Sequence, residues 1–342
     1  MRTALGIWVM VLAGMVFVFS SGTGRAAQEN VYQAVATANN NMNHVPSFVG
    51  VEKGIFLKHG IDLKLKVLST GQEQTKAVQA GEAQFLGPAY SNLPLALERG
   101  FKAKGFVGLV GDRTQAYSDE QLSIFTRKGT GITKIQDLAG KRVGAVVGGT
   151  THEYLGAVLT KAGIAADKFP VLNVPPGNSV SALAGGQVDA MSVWEPYGTM
   201  IQDKVPDAML LQKGGGLLPY FIDMSTLLET MEKQRDMVYR YTLGLLEASQ
   251  YTRQHLDEAA EITTRWIPGL EVGVARRAIR NMRYDPRITK YTLQAWGENV
   301  RVLVEQKKLH QPIPWTQGIE LKYIERAQKE YPQLFSDLKP VP

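Results

Sequence analysis

Five short clusters hold the residues best suited to chemistry. The first is Asn39-Asn40-Asn41-Met42-Asn43-His44. Side-chain amides both donate and accept hydrogen bonds, which suits a polar ligand; a solvated loop with a helix-capping Asn is the plainer alternative. Gly71-Gln72 and Pro88-Ala89-Tyr90-Ser91-Asn92 form the second and third. There, exposed helix-start amides would meet an anionic group, while Ser91 would serve equally well as an N-cap. The fourth is Gly148-Gly149-Thr150-Thr151-His152-Glu153. Glycines let the backbone approach a ligand, and a helix start favours negative charge, but the Lys-Ser/Thr of a nucleotide-binding loop is missing. Glu153 is favoured at that position without any ligand, and His152 is either a contact or surface packing. Trp194-Glu195-Pro196 is the fifth. Its indole would lie on an apolar ligand body, cover a cation or seal the sheet as a core aromatic. Glu195 would pair with a ligand amine or form a structural salt bridge. Helix-start amides favour an anion and Glu195 disfavours an unaccompanied one, so together they suggest a zwitterion or a polar neutral molecule. The expected ligand-binding residues are Asn41, His44, Gln72, Tyr90, Ser91, Thr150, Thr151, His152, Trp194 and Glu195.

Binding without chemistry is the better expectation for this set. His44, His59, His152, His255 and His310 show no metal-ligand spacing. There is no Gly-x-Ser-x-Gly elbow and no cysteine. No catalytic residue, metal or cofactor is expected.

The elements that must position these clusters alternate. Val31–Ala36, Ile61–Val67, Ala83–Gly87 and Phe106–Val110 read as strands, the second with a clear period of two. Helical patterns fall between them at Val45–Phe56, Gln72–Ala80 and Asn92–Arg99, with Gly81 and Gly100 where C-terminal caps belong. The pattern restarts at Leu122–Thr126 and runs through the strands Arg142–Val147, Phe169–Val174, Val188–Trp194 and Ala208–Gln212. Such alternation predicts mostly parallel sheets covered by helices. After Met224 the texture is helical, beginning with an almost uninterrupted stretch from Leu227 to His255. In open α/β sheets ligands bind outside the carboxyl ends of strands, where the five clusters fall.

The N-terminus predicts a compartment. Arg2, the apolar run Ala4–Phe19 and the small-residue pattern Gly24-Arg25-Ala26 read as a secretory signal peptide over residues 1–26. The run is short for a spanning helix. Without cysteine the chain has no disulfide and no lipid-acceptor residue at the cleavage site, so a free periplasmic protein is expected. The net charge of +6 falls to about +4 without Arg2 and Arg25. No dense basic block is present, and a nucleic-acid partner is not expected.

Further motifs occur in order. Pro46, Lys53-Gly54-Ile55-Phe56 and Gly60-Ile61-Asp62-Leu63 are followed by Ala77-Val78-Gln79-Ala80-Gly81-Glu82-Ala83-Gln84-Phe85. Ile135-Gln136-Asp137-Leu138-Ala139-Gly140-Lys141-Arg142-Val143-Gly144 comes next, and Leu183-Ala184-Gly185-Gly186-Gln187-Val188-Asp189-Ala190 precedes Trp194-Glu195-Pro196-Tyr197. Across residues 31–230 this resembles the periplasmic substrate-binding proteins of ABC transporters, in the sulfonate, taurine, nitrate and thiamine-precursor (NMT1/THI5-like) group. The resemblance implies an α/β, two-lobed periplasmic-binding-protein-like fold of type II, with a hinge of two crossing strands and a helical C-terminal part. Residues 27–120 and 223–342 would form lobe 1, and 121–222 lobe 2. The implied function is capture of a small organic anion or zwitterion of the sulfonate or taurine type by lobe closure. The implied partner is a membrane permease, with the protein itself a monomer. Pyrimidine or thiamine-precursor binding, an aromatic carboxylate ligand, docking on a sensor protein, and a pyrimidine-synthase-like enzyme are the alternatives. The last relies on a cysteine-rich iron motif that this chain lacks.

Overall fold

Apolar and charged residues alternate at Ile61-Asp62-Leu63-Lys64, and the strand they form buries Ile61 and Leu63 while exposing Asp62 and Lys64. The computed structural model describes residues 31–90, 92–165 and 169–342. The expected signal segment and Ser91 lie outside the described residues. The chain begins with β1 (Tyr32–Asn39), α1 (Val45–Glu52), α2 (Ile55–Lys58), β2 (Ile61–Leu68), α3 (Gly71–Gln79), β3 (Phe85–Leu86), α4 (Leu93–Glu98) and β4 (Ala103–Val110). It then crosses to β5 (Leu122–Arg127), β6 (Val143–Ala145), α5 (Thr150–Lys161), β7 (Val171–Asn173), α6 (Ser179–Ala184), β8 (Ala190–Trp194), α7 (Tyr197–Lys204) and β9 (Ala208–Lys213). It returns as β10 (Ile222–Leu227) and ends in helices α8 (Leu228–Lys233), α9 (Arg235–Gln254), α10 (Leu256–Thr264), α11 (Val272–Ala278), α12 (Lys290–Glu305), α13 (Trp315–Gly318) and α14 (Lys322–Glu330).

Two five-stranded sheets result, ordered β2-β1-β3-β10-β4 and β7-β6-β8-β5-β9. In the first, β1 runs parallel to β2 and β3, while β10 is antiparallel to β3 and β4. In the second, β6 runs parallel to β7 and β8, and β5 is antiparallel to β8 and β9. The sheets are therefore mixed where alternation alone predicted mostly parallel ones. Each antiparallel strand is the one that follows or precedes a crossing, so it enters its sheet from the opposite end.

The crossings, residues 111–121 and 214–221, are bound to each other and to the helical tail. Asp119 of the first accepts hydrogen bonds from the backbone N–H groups of Gly216 (3.0 Å), Leu217 (2.7 Å) and Leu218 (3.1 Å) of the second. Arg113, fully buried, pairs with Asp223 at 2.8 Å and donates to the carbonyls of Ile222 and Asp285. A buried ion pair of this kind costs about 3–5 kcal/mol to break by removing one partner.

The helical tail departs from its sequence pattern at Gln234, whose φ of −127° and ψ of 44° end α8 and let α9 start in a new direction. Along α9, Val238, Tyr241, Leu245 and Leu246 are buried, and the helix lies on α1, α2, β2 and β4. Gly50 and Gly244 admit the Phe56 ring between α1 and α9, since a Cβ at either would stand within 2.6 Å of that ring. The tail also reaches the other sheet: α11 packs on α7, with the ion pairs Arg277–Asp203 and Lys204–Glu271 (3.2 Å) across the contact.

Candidate functional site

Strand carboxyl ends from both sheets converge on one cavity of about 370 Å³. β1 delivers Asn39 and, in the turn beyond it, Asn41 and Asn43. β2 leads into Ser69 and Thr70 at the start of α3, and β3 into Gly87 and Ala89. From the second sheet, β6 leads to Val146, Val147 and Thr150, β7 ends at Asn173 before Pro175 and Pro176, and β8 ends at Trp194. Tyr220 and Ile222 of the returning crossing complete the wall.

Hydrogen bonds fix the lining amides. Asn39 Nδ2 donates to the Leu68 carbonyl (3.2 Å), Asn41 Oδ1 accepts from the Asn43 N–H (3.0 Å), and Asn43 Nδ2 donates to the Tyr220 hydroxyl (2.9 Å). Across the cavity, Asn173 Oδ1 accepts from the Val147 N–H at 3.1 Å. Each amide is anchored to the protein by one end, which pre-orients the other. Beneath this wall Gln74, fully buried, accepts from Thr37 Oγ1 (2.9 Å) and from the Gly87 N–H (2.8 Å), tying α3 to β1 and to the cavity floor.

The cavity's charges are unequal in freedom. Glu73 turns its carboxylate back onto the N–H groups of Ser69 (2.8 Å) and Thr70 (3.1 Å), completing the capping box of α3. Lys76, one turn further along, lines the cavity, and among the described residues no ion pair engages it. The first turns of α3 and α5 add N–H groups without intrahelical acceptors, and α5 starts at Gly149 with no side-chain cap. Trp194, 8% exposed, lines the cavity with its ring, and its Nε1 is buried with no partner in the protein. The arrangement offers donors and positive potential to an anionic or acceptor-rich group, with an apolar surface opposite. Gln72 Nε2 donates to the Gly148 carbonyl at 3.4 Å, linking the two halves at the exposed mouth.

Of the residues expected from sequence, Asn41, Gln72, Thr150 and Trp194 line this cavity. The others described do not. His44 is fully buried behind Gly87, where a Cβ would stand 2.6 Å from His44 Cε1, and burial pushes its imidazole down to about 3, so it is neutral. Tyr90 donates to Asp223 and stands edge-on to Trp296, inside the first-sheet core. Thr151 Oγ1 accepts from the Val146 N–H at 2.9 Å, and His152 Nδ1 accepts from the Gly148 N–H at 3.2 Å; both shape the loop from behind. Burial holds His152 below its ordinary value, with the charge of Lys308 adding to this. Successive helical residues are rotated by about 100°, so Thr150 faces the ligand space and its two neighbours do not.

Glu195 also turns away. Oε2 accepts from the Thr199 N–H (3.1 Å) and hydroxyl (2.8 Å), and Oε1 accepts from Asn281 Nδ2 (2.8 Å) of the helical tail. Burial raises its carboxyl above the usual range. Adjacent residues at a strand end face opposite ways, so Trp194 and Glu195 cannot both look into the cavity. The expected acid–amine contact is thus replaced by a structural one. Sequence reasoning missed Lys76, Asn43, Asn173 and Tyr220. Lys76 lies four residues after Gln72 on the same helix face, so helical periodicity held a signal for it; Asn43 stood inside the first cluster, in a short 3-10 turn where strand alternation does not apply.

The model of the family described as NMT1/THI5 like matches residues 41–259, more than half of the chain. A protein of Brucella abortus (strain 2308) described as a binding protein is 27% identical over 224 residues, which is 64% of this chain and 66% of that protein. The chain therefore spans just under two thirds of that relative's length. A proposed aliphatic sulfonates-binding protein of Bacillus subtilis is 24% identical over 293 residues, 84% of this chain and 86% of the relative. Among solved structures, the alkanesulfonate-binding protein SsuA from Xanthomonas axonopodis pv. citri, bound to MOPS, superposes with a TM-score of 0.74 at 17% identity. That match covers 85% of this chain and 99% of the other, and it identifies the two-lobed periplasmic-binding-protein fold.

Proposed function

The chain belongs to the NMT1/THI5-like family, and from that premise we propose that it is the solute-binding component of an ABC import system. Its ligand in this reading is a small organic anion of the sulfonate type, held between the lobes and passed to a membrane permease. The observation that carries the ligand class is the electrostatic asymmetry of the cavity. Lys76 and two helix starts point to an acceptor, while Glu73 and Glu195 are both occupied by protein donors. With Glu195 turned away, the zwitterion expectation loses its amine partner, and an anion with an apolar body fits better. A volume of about 370 Å³ suits a small molecule.

Binding would work by population shift. A ligand touching both walls interacts fully only when they are close, so it favours closure by that difference in affinity. The permease would then recognise the closed form. The expected site is the periplasm, with the protein a monomer carrying out no reaction of its own; among the described residues no group of His, Cys, Asp and Glu is placed to hold a metal. The carboxamide-rich wall supports a second reading, a pyrimidine-type ligand with alternating donors and acceptors.

A calorimetric screen of the purified protein against alkanesulfonates, taurine, nitrate and pyrimidines tests this. Organic sulfonates should bind, with affinity that weakens as salt rises. Binding of pyrimidines alone, with no response to any anion, would replace the first reading by the second.

A further inference from the structure

Behind the cleft lies a second hollow of about 10 Å³. Val146, Pro176 and Trp194 line both spaces, so these three side chains form the partition between them. Trp194 is the largest of the three and occupies the last position of β8. The hydroxyl groups around the hollow are already engaged. Ser192 Oγ donates to the Thr151 carbonyl (2.8 Å), Ser179 Oγ donates to the Pro176 carbonyl (2.6 Å), and Thr151 Oγ1 accepts from Val146. What the hollow offers to a visitor is therefore apolar surface, from Met191, Val193 and Tyr197.

We propose that Trp194 determines ligand length: its indole fills the apolar end of the main cavity, in front of the hollow, and so limits the tail a ligand carries there to a short one. This rests on the cleft being the ligand site. At this end of the cleft a longer tail would have to displace the indole, which is nearly buried and held at the end of a central strand. A smaller residue at position 194 would give the indole's own volume to the main cavity; the hollow itself, at about 10 Å³, adds no more than the room of one water. Each methylene then removed from water would strengthen binding about fourfold. The neighbouring walls would keep their polar contacts, so the head of the ligand would be held as before.

The test compares the native protein with Trp194→Phe and Trp194→Ala, titrated calorimetrically with ethyl, butyl, hexyl and octyl sulfonates and the matching carboxylates. The native protein should bind the short members best. In Trp194→Ala the ratio of octyl to ethyl affinity should rise by about tenfold or more, with Trp194→Phe intermediate and available if the alanine variant fails to fold. The same chain-length profile in all three proteins overturns the proposal. If no protein binds any anion, the organic-anion reading falls, and xenon under pressure in crystals of the native and variant proteins decides the present point. Xenon settling in the space left by the indole, in the variants alone, supports the proposal. That space filled by collapse of its neighbours, closed to xenon in every protein, overturns it.

Discussion

On its first-sheet side the cleft presents Asn39, Asn41, Asn43, Thr70 and Lys76; on its second-sheet side it presents Val146, Val147, Pro175, Pro176 and Trp194, with Thr150 and Asn173 as the polar members. Both walls are made of residues that follow strand carboxyl ends, so the backbone architecture is the same. The difference lies in what lies behind each. The first wall is backed by a buried polar network of Thr37, Gln74 and His44 that orients its floor. The second is backed by apolar side chains and by hydroxyls that donate to backbone carbonyls.

The contrast can be broken most strongly at His44. Its imidazole is neutral in the fold with a value of about 3, against ~6.5 in the unfolded chain. The unfolded chain therefore binds the extra proton, and stability is lost as pH falls from about 6.5 toward 3, approaching ~1.4 kcal/mol per pH unit. His44→Leu should flatten that acid limb in urea unfolding measured between those values; an unchanged slope counts against the buried neutral imidazole. Gln74→Leu comes next. It leaves the Gly87 N–H without its acceptor and should lower stability by about 1–3 kcal/mol. It should also weaken every ligand regardless of tail length, which calorimetry on the two ends of a chain-length series would show. Lys76→Met should lower anion affinity by roughly tenfold at low salt and flatten its salt dependence, since it removes one exposed charge and little structure. The smallest effect is expected at Glu195. Its raised carboxyl means that the folded protein holds the proton to higher pH than the unfolded chain. Its stabilising contribution therefore falls as pH rises from the ordinary carboxylate range through the raised value, and is level above it. Glu195→Gln should remove that decline in thermal unfolding followed across the range, without changing ligand affinity.

Much of the cavity's placement was legible because period-two and helical patterns locate strand ends and helix starts. Asn41 and Gln72 on the first wall, and Thr150 and Trp194 on the second, stand at such positions and line the cavity. What the sequence hides is the facing of individual residues once the regular pattern stops. His44 and Asn43 are neighbours, yet one is sealed behind Gly87 and the other lines the cavity. Glu195 reads as a pocket acid until Asn281, 86 residues away, is seen to hold it. The break at Gln234 is similar: the helical pattern runs on through it, and only packing of α9 on α1 sets the new direction. Of the antiparallel strands, β5 was visible as a strand and β10 (Ile222–Leu227) was not singled out as one; the direction of both follows from the crossings and carries no local signal.

The order β2-β1-β3-β10-β4 places the last-made strand inside the first sheet, not at its edge. β4 ends at Val110 and its neighbour β10 begins only at Ile222, with every strand of the second sheet in between. Synthesis delivers the chain from its N-terminus, so the first sheet stays divided, with β3 and β4 unjoined, until the whole intervening segment has emerged. Closing so long a loop is entropically costly unless that segment has already become compact. The second sheet, whose five strands are contiguous in the chain, is thus the part able to fold first. Its collapse brings the ends of the two crossings together and delivers β10 to the gap it must fill.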